Sequence, residues 1–141
     1  GAPMLLAAAF LNASGAWVDA GWRGPRKVLN ISSGLGRRAM AAQAPYCAAK
    51  AGMDHFSRCV ALDEGRRAHG ARIVSLAPGV IDTDMQTQLR AGDPAGFPDL
   101  QRFVELQCQQ QLTSPEDAAA QVLAWLRRPD FGGEPVADVR G

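Results

Sequence analysis

The hydrophobic pattern of the first half of the chain predicts two helices separated by a strand. Residues 3 to about 20 are apolar on nearly all sides at first, which predicts a buried helix. The β-branched, apolar segment Lys27–Ile31 predicts a buried strand, followed by a small-residue loop at 32–36. Apolar positions then predict a long helix from about residue 43 to 68, with Pro45 in the first turn, where a missing N–H costs little.

The second half of the chain repeats this alternation. Gly70, after His69, is predicted to end the long helix, and the apolar segment 71–76 predicts a second buried strand. Ser114 begins a last helix, because serine is a good N-cap and a proline and two acids follow it. A short strand is predicted near 135–139. Strands that alternate with helices predict an α/β fold with a parallel sheet.

The segment between the second strand and the last helix has a weaker pattern. A turn and a short helix are predicted for residues 80–90, a loop rich in glycine and proline for 91–98, and a polar helix for about 99–111. The length and composition of the segment from about Asp84 to Leu112 favour its interpretation as a substrate lid.

Composition narrows the class of protein. A chain of 141 residues is about one domain, and 47% hydrophobic with 21% charged residues is typical of a soluble globular protein. The net charge of +1 argues against nucleic-acid binding. The odd set of Cys47, Cys59 and Cys108 lacks metal-ligand spacing, so we predict no metal site, and free thiols suit a reducing cytoplasm. The apolar start lacks a basic region and is too short to span a bilayer, so no signal peptide or membrane anchor is predicted.

The single tyrosine, Tyr46, lies four residues before Lys50, one of two lysines. On a helix this spacing places both side chains on one face. An ammonium beside a phenol favours the phenolate, so the pair can donate and accept a proton near neutral pH. Taken alone, this spacing favours the simpler interpretation, a helix-surface tyrosine beside a solvated lysine. Polar clusters at the ends of the predicted strands favour a site, because ligands of open α/β sheets bind beyond the carboxyl ends of the strands.

Three motifs together resemble the C-terminal half of a short-chain dehydrogenase/reductase. They are Asn30-Ile31-Ser32-Ser33, then Tyr46-Cys47-Ala48-Ala49-Lys50 with its tyrosine thirteen residues past Ser33, and Pro78-Gly79-Val80-Ile81-Asp82-Thr83. The resemblance covers essentially the whole chain. It implies that residues 1–141 are the C-terminal part of a single domain, with the fold of a Rossmann-like, doubly wound parallel sheet.

The resemblance also implies roles for individual residues in NAD(P)H-dependent reduction of a ketone. Ser33 would orient the substrate carbonyl, and Tyr46 would pass a proton to the alkoxide. Lys50 would favour the phenolate form of the tyrosine and hold the nicotinamide ribose. The residues implied against the nicotinamide are Pro78, Gly79, Ile81 and Thr83. The implied cofactor is NADP, with NAD as the alternative. Ser33 is preferred to Ser32 on its spacing to the tyrosine, and Ser32 is interpreted as a loop residue that bonds to the backbone.

A narrower resemblance is to the sepiapterin reductase branch. It rests on the stretch 78–86 and on the tail from Phe131 to Asp138. It implies that Asp138 binds a guanidine-like edge of the substrate and that Met85 packs on it. A solvated terminal carboxylate remains the alternative for Asp138, and a general core or pocket-wall position remains the alternative for Met85. Bacterial proteins of this appearance also reduce aromatic diketones, so a pterin is only the first candidate.

The sequence departs from the family pattern at its beginning. The glycine-rich turn that binds the pyrophosphate, the residue that selects NAD or NADP, and the asparagine expected just before Gly1 are not in these 141 residues. We therefore expect the chain to be part of a longer polypeptide. We expect the 141 residues alone neither to hold a dinucleotide tightly nor to turn over.

The expected partners are a small-molecule carbonyl substrate and further copies of the chain. Family members pair through the helices that correspond to about 3–20 and 43–69, which implies a homodimer or homotetramer. A catalytically silent scaffold that uses the same helices for oligomerisation is the alternative function. The intact set of Ser33, Tyr46 and Lys50 favours the enzyme, because a scaffold has no need of all three.

Overall fold

The computed structural model describes residues 2–79 and 113–141. The helices and strands in these ranges are α1 (Ala2–Asp19), β1 (Lys27–Ile31), α2 (Ala44–Gly65), β2 (Arg72–Ala77), α3 (Pro115–Leu126) and β3 (Val136–Asp138). One turn of 3₁₀ helix at Gly34–Gly36 replaces part of the loop predicted after β1. The elements predicted between 80 and 112, the lid among them, lie outside the described residues.

The three strands form a parallel sheet in the order β1-β2-β3. Lys27 pairs with Arg72 at one end, and Ala77 pairs with Asp138 at the other. The central strand β2 is buried from Ile73 to Ala77, as its apolar sequence predicts. The α/β prediction with a parallel sheet is confirmed, and the carboxyl ends of all three strands meet at one edge.

Helices cover both faces of this sheet. Val74 and Leu76 point to one face, where they form the core with Phe131 and pack against Val122 and Trp125 of the α3 region. Ser75, between them in sequence, points to the opposite face, where its hydroxyl contacts α2. Because side chains alternate along a strand, α2 and α3 lie on opposite faces. This is the doubly wound arrangement that the sequence predicts.

Two cationic side chains at the start of β1 form hydrogen bonds with neighbouring helices and with the turn after α2. Lys27 Nζ donates to the Leu126 carbonyl at 2.5 Å, which satisfies one of the free carbonyls at the end of α3. The buried Arg26 donates to Ser14 Oγ at 2.8 Å and to the His69 carbonyl at 3.1 Å. These bonds connect α1 and the turn after α2 to the start of β1.

The prediction that α1 is buried is wrong. Only Ala7 and Ser14 of this helix are buried, and Leu5 is 73% exposed. The apolar sequence is real, but burial depends on what lies against the helix. Within residues 2–79 and 113–141, no element covers the outer face of α1.

The predicted end of α2 also needs correction, whereas the start of α3 does not. The helix ends at Gly65 rather than near residue 68, and His69 then takes a left-handed conformation with φ of 61°. The turn between them leads the chain back to β2. Ser114 Oγ accepts the Asp117 N–H at 3.1 Å, so the predicted N-cap of α3 is confirmed.

No helix among the described residues is both long enough and apolar enough to cross a membrane.

Candidate active site

Ser33 lies directly beyond the carboxyl end of β1 and caps the 3₁₀ turn. Its Oγ accepts the Leu35 N–H at 3.2 Å, and the residue is half-buried. A serine hydroxyl has one donor as well as acceptor capacity, and this bond uses only the acceptor. The Ser33 proton therefore stays available for another group at the sheet edge.

Tyr46 and Lys50 share one face of α2, and the lysine is fixed between the tyrosine and the end of β1. Lys50 Nζ lies 5.7 Å from the centroid of the Tyr46 ring and donates to the Ile31 carbonyl at 2.9 Å. An ammonium has three N–H donors, so this bond leaves two of them for other groups. The helical spacing predicted from the sequence brings the two side chains together as expected.

Gly36 allows the turn that carries Ser33 to pack directly on α2. A Cβ at this position would lie 2.6 Å from Asp54 Oδ2 and 3.2 Å from the backbone carbonyl of Lys50. Only glycine leaves room for that approach. The turn after β1 and the helix with Tyr46 and Lys50 are thereby held against each other.

Ser32 has a different partner from the one expected. It is buried, and its Oγ donates to Asp54 Oδ1 at 2.6 Å instead of bonding to the backbone. Asp54 was not among the residues singled out from the sequence. The available signal was its spacing, four residues after Lys50, which places it on the same side of α2.

The Pro78-Gly79 turn follows β2 at the same edge of the sheet. Pro78 is buried, and Gly79 has φ of 82°, in the left-handed region that favours glycine. The other two residues implied against the nicotinamide, Ile81 and Thr83, lie outside the described residues, as does Met85.

Asp138, at the end of β3, is held by Arg140. Arg140 donates from Nε to Oδ1 at 3.0 Å, from Nη2 to Oδ2 at 2.8 Å, and from its backbone N–H to Oδ1 at 2.8 Å. The side-chain hydrogen bond from Arg140 lowers the pKa of Asp138, and partial burial opposes that shift. The Asp138 side chain is 23% exposed and lines a cavity of about 570 Å³ beside β3, together with Trp125 and Ala137. A substrate group that binds this carboxylate must compete with Arg140.

The cysteines contribute no cluster to this site. Cys47 is half-buried and Cys59 is exposed, both as free thiols, and Cys108 lies outside the described residues. Within 2–79 and 113–141, no group of three or more His, Cys, Asp or Glu side chains is placed to hold a metal ion.

Fold and site together define a Rossmann-type α/β unit with polar groups gathered at the carboxyl edge of a parallel sheet. The sequence profile of the short chain dehydrogenase family matches residues 8–94, and this chain belongs to that family. The assignment confirms the family resemblance found in the motifs.

Individual relatives agree with the assignment. The chain is 37% identical over 131 residues to a benzil reductase, (S)-benzoin forming, from Bacillus cereus, which covers 92% of this chain and 50% of that protein. An NADPH-dependent pterin aldehyde reductase from Arabidopsis thaliana is 44% identical over 66 residues, 45% of this chain and 26% of the relative. The crystal structure of the KRED1-Pglu enzyme matches with a TM-score of 0.65 and 32% identity, covering 77% of this chain and 45% of that one. The chain spans about half the length of these benzil reductase and KRED1-Pglu chains.

The contact at Gly36 can be tested with a matched pair of substitutions. Gly36→Ala should destabilise the protein by about 1–3 kcal/mol, because its methyl group has no room between Lys50 and Asp54. Gly34→Ala, in the same turn, meets nothing within 4 Å and should leave stability nearly unchanged. Urea denaturation of both variants measures the difference. Equal stabilities would show that the turn does not need the close approach.

The Asp138–Arg140 pair makes a prediction about pH. Because the folded pKa of Asp138 is lowered, the pair stabilises the protein above the ordinary aspartate pKa of about 3.9. That contribution is lost as the pH falls through the lower folded pKa. Arg140→Gln should move the Asp138 titration, followed by carboxyl-carbon NMR, up towards its ordinary value. Arg128→Gln is the control, because Arg128 pairs with Asp130 instead. An unmoved Asp138 titration in Arg140→Gln would contradict the assigned cause.

Proposed function

We propose that the protein reduces a carbonyl to an alcohol with NAD(P)H, with Tyr46 as the proton donor. The observation that carries the proposal is the position of Lys50. Its ammonium is bound to the Ile31 carbonyl at 2.9 Å and lies 5.7 Å from the Tyr46 ring centroid. A cation held beside a phenol at the carboxyl edge of a parallel sheet suits proton transfer to a developing alkoxide.

The chain's own residues divide the proton chemistry between them. The free Ser33 hydroxyl donates a hydrogen bond to the substrate carbonyl oxygen and so orients the substrate. Tyr46 gives its phenolic proton to the same oxygen as negative charge develops there. The nearby Lys50 ammonium stabilises the phenolate that this transfer leaves. The product is an alcohol whose O–H proton comes from Tyr46.

The described residues fit the nicotinamide end of a dinucleotide. Lys50 keeps two N–H donors for ribose hydroxyls after its bond to Ile31. Gly79, with its left-handed backbone beside the buried Pro78, offers main-chain groups at the end of β2 for the carboxamide, and we assign Ile81 and Thr83 to the same role. When bound, the cofactor supplies the hydride. We propose NADP, because the similar Arabidopsis protein is NADPH-dependent, with NAD as the alternative.

An aromatic diketone is the first substrate to test, and a pterin-like carbonyl is the second. The similarity to the benzil reductase covers 92% of this chain, whereas the similarity to the pterin aldehyde reductase covers 45%. We assign Met85 and Asp138 to substrate binding on the resemblance to the sepiapterin reductase branch. The bidentate bond from Arg140 to Asp138 disfavours a cationic or guanidine-like substrate edge there, since Arg140 must be displaced first. A neutral diketone requires no such exchange.

The proton-donor role is tested by Tyr46→Phe in the protein with its natural flanking sequence. Loss of a general acid typically lowers kcat by about 10²–10⁴-fold, and we expect a loss of that size for benzil reduction followed by NADPH oxidation. His55→Gln, an exposed position on the same helix, is the control and should keep the wild-type rate. Circular dichroism checks that both variants fold. Full activity in Tyr46→Phe would exclude the tyrosine as donor.

The same assay separates the enzyme from the scaffold alternative. If neither the wild-type protein nor Tyr46→Phe oxidises NADPH with any of a broad panel of ketones, the scaffold is supported. Turnover by wild type alone supports the enzyme.

Exposed apolar side chains on α1 and α2 support self-association through these helices. Leu5 and Trp17 on α1 are mostly exposed, and Leu62 on α2 is 72% exposed. We propose that a second copy of the chain covers this surface, giving a homodimer or homotetramer. Pairing would remove this apolar area from water, and each Å² buried contributes roughly 25 cal/mol of favourable free energy.

Leu62→Glu tests this association. A carboxylate in an apolar interface is costly to desolvate, so this substitution should make the assembly dissociate. Light scattering should then give a lower mass for the variant than for the wild-type protein. Leu123→Glu on α3 is the matched control, because Leu123 is also exposed but lies on the other face of the sheet. An assembly that Leu62→Glu leaves intact would exclude this surface of α2 from the interface.

A further inference from the structure

A buried carboxylate on the same helix as Tyr46 and Lys50 has no role in the proposed proton transfer. Asp54, on α2, is 1% exposed. Its Oδ1 accepts hydrogen bonds from Ser32 Oγ and from Ser75 Oγ, each at 2.6 Å. Its Oδ2 lies 3.4 Å from Arg37 Nε. One side chain therefore contacts the end of β1, the centre of β2 and the turn after β1.

Burying a carboxylate is unfavourable unless its charge is paired and its oxygens are bonded. Asp54 meets these conditions at Oδ1, which accepts two short hydroxyl bonds, while Oδ2 lies beside Arg37 but has no hydrogen-bond partner among the described residues. A similarly sized apolar residue would fill the same space without the desolvation cost. What an apolar residue cannot provide is a fixed direction for Ser32. This points to a geometric role for the carboxylate.

The geometry connects Asp54 to the reacting groups through one short stretch of backbone. The Ile31 carbonyl is bound by Lys50, Ser32 is bound by Asp54, and the next residue is Ser33. Lys50 and Asp54 are one helical turn apart, so the same helix holds two successive residues at the end of β1. We propose that Asp54 is a positioning residue that, by holding Ser32, sets Ser33 against Tyr46 and Lys50. This inference rests on the proposed reductase function.

The sheet itself does not depend on this bond. The Ser32 backbone N–H donates to the Leu76 carbonyl at 2.8 Å, and β1 pairs with β2 along its whole length. Loss of the Asp54–Ser32 bond would therefore leave the strands paired. Its main effect would be that the following turn is no longer held in one orientation. The expected result is a folded protein with a misplaced Ser33.

Kinetics of Asp54→Ala, which removes the acceptor for both serine hydroxyls, test the inference in the protein with its natural flanking sequence. Misplacement of a catalytic group by about 1 Å can cost about 10²-fold, and we expect kcat for benzil to fall by at least about 10-fold with KM for NADPH little changed. In a Ser33→Ala background the same substitution should have almost no further effect, because residues that act through one another are not additive. Asp63→Ala, exposed on the same helix, is the control. Wild-type kcat in folded Asp54→Ala, or a fully additive loss, would overturn the proposal.

A second readout does not depend on turnover. Protein labelled with 3-fluorotyrosine gives a ¹⁹F NMR signal for Tyr46, assigned by its loss in Tyr46→Phe. Asp54→Ala should move this signal in the folded protein and Asp63→Ala should not; an unmoved signal overturns the inference. If Asp54→Ala does not fold, Ser32→Ala decides both measurements, because it also removes the Asp54–Ser32 bond and leaves the carboxylate with Ser75 and Arg37. If the wild-type protein reduces no ketone, the proposed function fails, and the ¹⁹F shift alone decides whether Asp54 positions the site.

Discussion

The carboxyl end of β1 is restrained at successive residues from α2, and the candidate site depends on this restraint. Lys50 holds the Ile31 carbonyl and Asp54 holds the Ser32 hydroxyl, while Gly36 lets the following turn contact the helix backbone. Hydroxyl bonds to a carboxylate at 2.6 Å are charge-assisted and strong. Ser33 inherits its position from these contacts although its own hydroxyl proton is uncommitted. The proposed role of Ser33 in orienting a substrate requires a fixed backbone and a free donor, and both conditions hold here.

The two faces of the sheet divide stability and chemistry between them. On the α3 face, Val74, Leu76 and Phe131 form an apolar core, and burying a side chain such as Phe131 contributes roughly 1.5–3 kcal/mol. On the α2 face, Ser75 lies between two apolar neighbours of the strand and contributes a hydrogen bond to Asp54 instead. The alternation of β2 thus places a polar network within one residue of the core. The core can hold the strands rigid while the network sets the direction of the turn.

The sequence predicts the features that depend on short stretches of chain. Local sequence patterns predict the strands, the α/β class with its parallel sheet, and the Ser114 cap. Helical spacing predicts that Tyr46 lies beside Lys50. The burial of α1 could not be predicted, because an apolar helix such as that around Leu5 is buried only if another element covers it. The end of α2 was misplaced because Gly70 was interpreted as the stop signal, whereas the helix already ends at the earlier glycine, Gly65. Asp54 was missed since its partners, Ser32 and Ser75, come from two strands about twenty residues away on either side.

The pairing of the charges at the sheet edge distinguishes Lys50 from Arg37 and Arg140, and this difference supports the proposed proton transfer. Arg37 lies beside the buried Asp54, and Arg140 is bound by both oxygens of Asp138. Each arginine therefore faces a carboxylate that offsets its charge. Lys50 is bound to a neutral backbone carbonyl, so its full positive charge remains available to the Tyr46 phenol. Because both of these arginines face carboxylates, Lys50 is the best placed of the three cations to stabilise the phenolate of the proposed mechanism.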